Sequence, residues 1–270
     1  MSHAPSDDAF GLISGRVRQF HVRTTSCKHL AACLVSPPQA VAAPVPAVQF
    51  MHNWGENAAM MRPMAPPLHT AGFAVLLLDD RCPGHSDDET FILMPRSDDF
   101  AVGLAWLKHQ SIIAADRVAL LGHWVGVTPA LLHTARHNDV GAVVSLSAFA
   151  HPAEVMLRSA AQKQIPHGLL GRYVMQHGQR VIGVASDEIA QLETIPALRC
   201  PVLLVHGLRD RTVPVEDAYR LLATSSAARL LLVVGNRDLR EAIATHAHTL
   251  VSFLHSAFEL PTLTPRLLAD

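Results

Sequence analysis

Short uninterrupted runs of apolar residues alternate along this chain with longer stretches in which apolar positions recur every three or four residues. The runs Phe73 to Leu78, Ala142 to Leu146 and Val202 to Val205 carry no polar face, the pattern of strands buried on both sides of a parallel sheet. Ala47 to Met51, Arg117 to Leu121 and Leu230 to Val234 extend the set, and Arg16 to Thr25 with Leu30 to Ser36 reads as an opening pair of strands. Between them, Ala58 to Leu68, Ser97 to His109, Val127 to His137, Val215 to Ala223 and Leu239 to Phe258 have helical periodicity. Gly72 is placed to close the first helix, and Ser97 with Asp98 and Asp99 to open the second with negative charge in its first turn. In the last, Ile243, Leu250, Phe253, Leu254 and Phe258 make the buried stripe.

Strand and helix alternate so regularly that an α/β fold is expected, a mostly parallel twisted sheet with helices on both faces. The rhythm breaks after His151, where Pro152, Pro166, Gly168, Gly171, Gly178 and Gly183 surround short helical pieces. Residues 151–186 are expected to form a small helical lid over the carboxyl ends of the strands, within a single domain over 1–270. A chain of 270 residues that is 49% hydrophobic can bury one such core.

Charge removes several function classes. Lys+Arg 22 against Asp+Glu 23 leaves no basic footprint for nucleic acid. Every apolar stretch is broken by proline or charge too soon to span a membrane. Met1 to Phe10 holds Asp7 and Asp8 and no basic stretch leading into an apolar one, so a cytoplasmic protein is expected. Cys27, Cys33, Cys82 and Cys200 are irregularly spaced, as reduced thiols are. Although there are 17 histidines, no HExxH occurs, and His246 and His248 point to different helix faces. No metal and no cofactor are expected.

The chemistry concentrates at strand ends. Arg117 to Leu121 runs into Gly122-His123-Trp124-Val125-Gly126 and then a helix, the context of a nucleophile elbow, where flanking glycines let strand and helix backbones pass closely. His52-Asn53-Trp54-Gly55 follows the third strand and Asp79 to Ser86, reading DDRCPGHS, the fourth. Val205 to Pro214, reading VHGLRDRTVP, and Val234 to Asp238, reading VGNRD, follow the seventh and eighth. With these segments in order, the chain resembles an α/β-hydrolase of the serine aminopeptidase or esterase type over roughly Arg16 to Phe258. The resemblance implies that His52 to Gly55 is the counterpart of an HGxG oxyanion loop and that DDRCPGHS matches a D-x-x-G-x-G-x-S loop. It also implies that Asp210 stands for the triad acid and that the loop reaching Asp238 should hold the histidine.

Two positions depart from that family. The elbow apex is Trp124, whose indole N–H only donates, and Arg237 or Asp238 stands where the imidazole should be. A relay in which imidazole takes a hydroxyl proton has lost both partners, and Asp210 alone replaces neither. His52 in the oxyanion loop is a candidate base, whereas His123 beside the apex and His246 in the last helix read as structural. Backbone N–H groups of Trp54 and Val125 remain candidate oxyanion donors, and Asn53 tolerates the left-handed angles of the glycine it replaces. Asp210 has two candidate neighbours, Arg237 in an ion pair or Asp238 in a carboxylate pair sharing a proton. Met156 heads a group, with Leu157, Leu169, Leu170 and Met175, available to line an apolar cavity. Three readings follow: a non-hydrolytic enzyme of cyclase, lyase or isomerase type, a non-catalytic binding or partner protein, and a hydrolase with an unconventional nucleophile. The expected ligand is a small uncharged or weakly polar organic molecule. Oligomeric state is not legible.

Overall fold

A computed structural model describes residues 16–24, 29–52, 58–79, 93–162, 190–239, 243 and 245–260. Its strands are β1 (Arg16–Arg23), β2 (His29–Ser36), β3 (Val45–Met51), β4 (Ala74–Leu78), β5 (Ile113–His123), β6 (Ala142–Leu146), β7 (Val202–Gly207) and β8 (Ala228–Val233). They form one sheet in the order β1-β2-β4-β3-β5-β6-β7-β8. The first pairings, β1 with β2 and β2 with β4, are antiparallel, and every later one is parallel. Every residue of β4, β6 and β7 is buried, as their unbroken apolar runs require.

The helices are α1 (Ala65–Thr70), α2 (Leu93–Lys108), α3 (Val127–His137), α4 (Pro152–Gln162), α5 (Gln191–Thr194), α6 (Val215–Thr224) and α7 (Ala247–Ala257). Successive strand residues point to opposite faces, which splits the core in two. Leu76, Leu120, Val143 and Leu204 pack with Phe100 and Leu104 of α2, Leu131 of α3 and Leu221 of α6. Their neighbours Leu77, Leu121, Val144 and Val205 pack instead with Leu68 of α1 and Leu250, Phe253 and Leu254 of α7.

Helix ends account for most differences from the sequence reading. Gly72 does terminate α1: at φ 89 it lets its own N–H reach the His69 carbonyl and that of Phe73 the Leu68 carbonyl. In contrast, α2 starts at Leu93, four residues before Ser97, so Ser97 lies inside the helix and does not cap it. Pro95 permits this, because proline in a first turn forfeits no intrahelical bond. The last helix is divided by a turn at His246, whose side chain is partly exposed while Ile243 and Leu250 are buried. Among the described residues, no helix is long and apolar enough to cross a membrane. Cys33 and Cys200 are free thiols, and burial pushes that of Cys200 up to about 11; Cys27 and Cys82 lie outside the described residues.

The expected lid opens with α4, and residues 163–189 lie outside the described set. Ionic contacts tie α4 to α6. The Asp217 carboxylate, 1% exposed, takes both Arg158 guanidinium nitrogens at 3.0 and 3.2 Å and the Ala150 backbone N–H at 3.1 Å. Glu154 bridges Arg158 and Arg220 at 2.8 and 2.7 Å. The Arg220 hydrogen bond holds the Glu154 carboxyl below its ordinary range. A depressed carboxylate stabilises the fold above its unfolded pKa, and that contribution disappears as pH falls through the folded value. Asp217→Ala removes three bonds to a buried carboxylate and is expected to lower stability by about 2 to 3 kcal/mol, read from urea unfolding at pH 7. Unchanged stability in that variant contradicts an anchoring role.

Candidate active site

The turn leaving β5 is built by two glycines. His123 is still extended, with φ −111 and ψ 124, and the chain then reverses at Trp124, φ 51, into a tight turn over Trp124–Gly126 that feeds α3. A Cβ on Gly122 would lie 2.6 Å from the Val127 Cα. One on Gly126 would lie 2.0 Å from the His52 carbonyl oxygen and 3.1 Å from that of Met51. The elbow backbone is therefore pressed against the end of β3, where the expected oxyanion loop begins. A non-glycine residue at positive φ costs about 1–3 kcal/mol, so packing around Trp124 must hold it there.

Part of that packing is apolar. Trp124 and Val125, both partly buried, lie against Phe149, Val155 and Val213. The rest is ionic: the Arg237 guanidinium carbon sits 4.3 Å from the centre of the indole ring. Cation–π contact of this kind contributes about 0.5–2 kcal/mol depending on desolvation. The Arg237 carbonyl accepts two hydrogen bonds, from His123 Nε2 at 2.9 Å and from the Ser147 hydroxyl at 3.0 Å. Because the acceptor is a carbonyl, the His123 ring nitrogen must be the protonated one. Ser147, fully buried at the end of β6, itself has φ 52. The loop after β8 is thus gripped from beneath by the ends of β5 and β6.

Asp210 lies in the loop after β7. One carboxylate oxygen accepts the backbone N–H groups of Thr212 and Val213 at 2.8 and 2.9 Å. The other is buried and has no hydrogen-bond partner among the described residues. The fully buried His206 steadies the same loop by donating from Nε2 to the Val213 carbonyl at 2.9 Å.

The sequence candidates distribute unevenly over this geometry. His52 is buried at the end of β3, in backbone contact with the elbow. Asn53 and Trp54 lie outside the described residues, as does the DDRCPGHS loop beyond Asp79. The ion pair between Asp210 and Arg237 does not form, because the guanidinium is placed over the indole. Asp238 is exposed and its N–H turns back to the Asn236 side chain at 2.8 Å, away from the desolvated surroundings a proton-sharing carboxylate pair needs. From α4 it is Val155 that packs with Trp124, and Met156, one residue on, is partly exposed. Ser147 went unnoticed in the sequence, where a serine ending an apolar strand carries no signal of left-handed backbone. Phe149 and Val213 were equally invisible as site residues. Among the described residues no group of three or more His, Cys, Asp or Glu side chains gathers as a metal would require.

The family model for X-Pro dipeptidyl-peptidase (S15 family) matches residues 27–180. An uncharacterized protein of Mycobacterium tuberculosis, found in two strains, is 26% identical over 193 residues, which cover 70% of this chain. The match spans 61% of the length of those curated relatives. An esterase of Pyrococcus furiosus superposes with a TM-score of 0.72 at 18% identity, covering 95% of each chain. A 2,6-dihydroxy-pseudo-oxynicotine hydrolase superposes with a TM-score of 0.70 at 16% identity, covering 97% of this chain and 75% of that one. A puromycin-hydrolyzing peptidase of Mycobacterium tuberculosis gives 0.73 at 15% identity, covering 98% of this chain and 42% of that one. The fold is that of the α/β-hydrolases.

Gly126→Ala tests the backbone contact at the elbow. Overpacking at this point is expected to cost about 1–3 kcal/mol of stability. The shift should appear in thermal unfolding, and an alanine tolerated without loss means that β3 and the elbow are not pressed together.

Proposed function

The chain belongs to the X-Pro dipeptidyl-peptidase (S15) family on the α/β-hydrolase fold, and within it we infer a member that handles a small organic molecule without an acyl-serine intermediate. The observation that carries this reading is Trp124 at the elbow apex, at φ 51, beneath the Arg237 guanidinium. An indole cannot attack a carbonyl near neutral pH, and a guanidinium stays protonated and cannot take a proton from a nucleophile. Both ends of the relay are thus filled by side chains that cannot run it.

What remains is acid and base chemistry. Asp210 keeps one buried oxygen without a partner among the described residues, and we read this carboxylate as the group that takes or returns a proton once a bound molecule is brought against it. The preferred reading is a non-hydrolytic step of cyclase, lyase or isomerase type, with His52, Val125 and Trp54 as further candidate groups around the substrate. A second reading, a non-catalytic binding protein, is favoured by the same stack, because it closes the reactive position with a stable contact. Both predict an inert elbow.

A fluorophosphonate probe with a panel of p-nitrophenyl esters separates these readings from residual hydrolysis. No labelling and no turnover above background are expected from the intact protein. Labelling or turnover that survives Trp124→Ala establishes an unconventional nucleophile and overturns the reading. Installing the relay requires Trp124→Ser together with Arg237→His, since residue 237 and not 238 lies over the apex. That double variant should gain weak ester hydrolysis, and each single variant should not.

A further inference from the structure

Arg237 is a cation held in place whose guanidinium makes no hydrogen bond among the described residues. Its guanidinium contacts the Trp124 ring face, an interaction that uses its charge and none of its five N–H donors. Among the described residues no ion pair of Arg237 with a carboxylate is formed. Asp210 spends one oxygen on the backbone of Thr212 and Val213 and makes no ion pair with Arg237. Asp238, next in sequence, is exposed, and its backbone N–H is bonded to the Asn236 side chain.

The guanidinium is not needed to hold its own loop. That task falls to the Arg237 carbonyl, gripped by His123 Nε2 and the Ser147 hydroxyl at 2.9 and 3.0 Å. One fully buried side chain in left-handed backbone, Ser147, is maintained at this grip. A partly buried cation without a counter-ion is costly, and a fork of N–H donors is matched best by a planar carboxylate. Beside it Trp124 and Val125, both partly exposed, form an apolar wall backed by the buried Phe149, Val155 and Val213.

We propose that Arg237 over Trp124 is a carboxylate-binding subsite, taking a small organic acid whose apolar body lies against that wall. A single arginine beside apolar side chains suits a monoanion with a hydrophobic body better than a phosphate, which needs more cationic groups. The proposal deepens the ligand-handling reading above and rests on it. It also replaces the sequence expectation of an uncharged or weakly polar ligand with a charged one.

Benzoate, benzamide and inorganic phosphate are the probes, titrated against the intact protein by saturation-transfer NMR and calorimetry. Benzoate should bind at least about 10-fold more tightly than benzamide, with phosphate weaker than benzoate. Arg237→Gln should erase the difference between acid and amide, and Arg237→Lys should keep part of it, since lysine retains charge without the fork. Circular dichroism and melting of both variants check the fold, which the backbone grip should preserve. Equal binding of benzoate and benzamide, a preference that survives Arg237→Gln, or no saturable binding of benzoate up to about 10 mM overturns the proposal. Esterase labelling of the intact protein sinks the functional reading instead, so the two failures are distinct.

Discussion

The passage of the elbow backbone across the end of β3 governs the rest of the site. Gly126 leaves no room for a Cβ before the His52 carbonyl, and Gly122 leaves none before Val127. These contacts force the chain to turn within three residues, so one side chain must stand at left-handed angles at the head of α3. The fold thereby offers a presented position whatever residue occupies it. Here the position holds a large aromatic ring, and the neighbouring loops are arranged around that ring.

Two loops respond to it in different ways. The loop after β8 supplies a cation above the indole and fastens its own backbone to His123 and Ser147. The loop after β7 holds Asp210, oriented by two backbone N–H groups and with its other carboxylate oxygen unpartnered among the described residues. Strain of about 1–3 kcal/mol at the apex is comparable with what the cation contact and the apolar packing return. The arrangement is self-consistent as a stack of cation, indole and apolar side chains at the head of α3.

Much of this fold was legible because both-face burial leaves unmistakable runs. Ala74–Leu78 and Val202–Gly207 have no polar register to confuse, and Gly122 with Gly126 marked the turn. The early start of α2 was hidden by Pro95, which reads as a breaker yet fits a first helical turn. The start of β5 was hidden because Asp116 and Arg117 interrupt its apolar pattern, although the strand begins at Ile113. At the site, the identity of Trp124 and Asp210 could be read directly. The residue over the apex could not, because loop positions carry no periodicity and a shift of one residue exchanges Asp238 for Arg237. Ser147 illustrates a deeper limit, since its backbone sign is set by the tertiary grip and not by local preference.

The indole beneath Arg237 also gives the protein an optical label of its own. Indole emission responds to a charge held against the ring, so whatever displaces, neutralises or draws away the guanidinium changes the light that Trp124 emits. Trp106, stacked on Phe20 at 4.0 Å with Arg18 5.4 Å from its ring, sits on α2, away from the elbow turn, and supplies an internal reference. Trp54 emits as well, so a Trp54→Phe background leaves Trp124 and Trp106 alone to report any change at the stack.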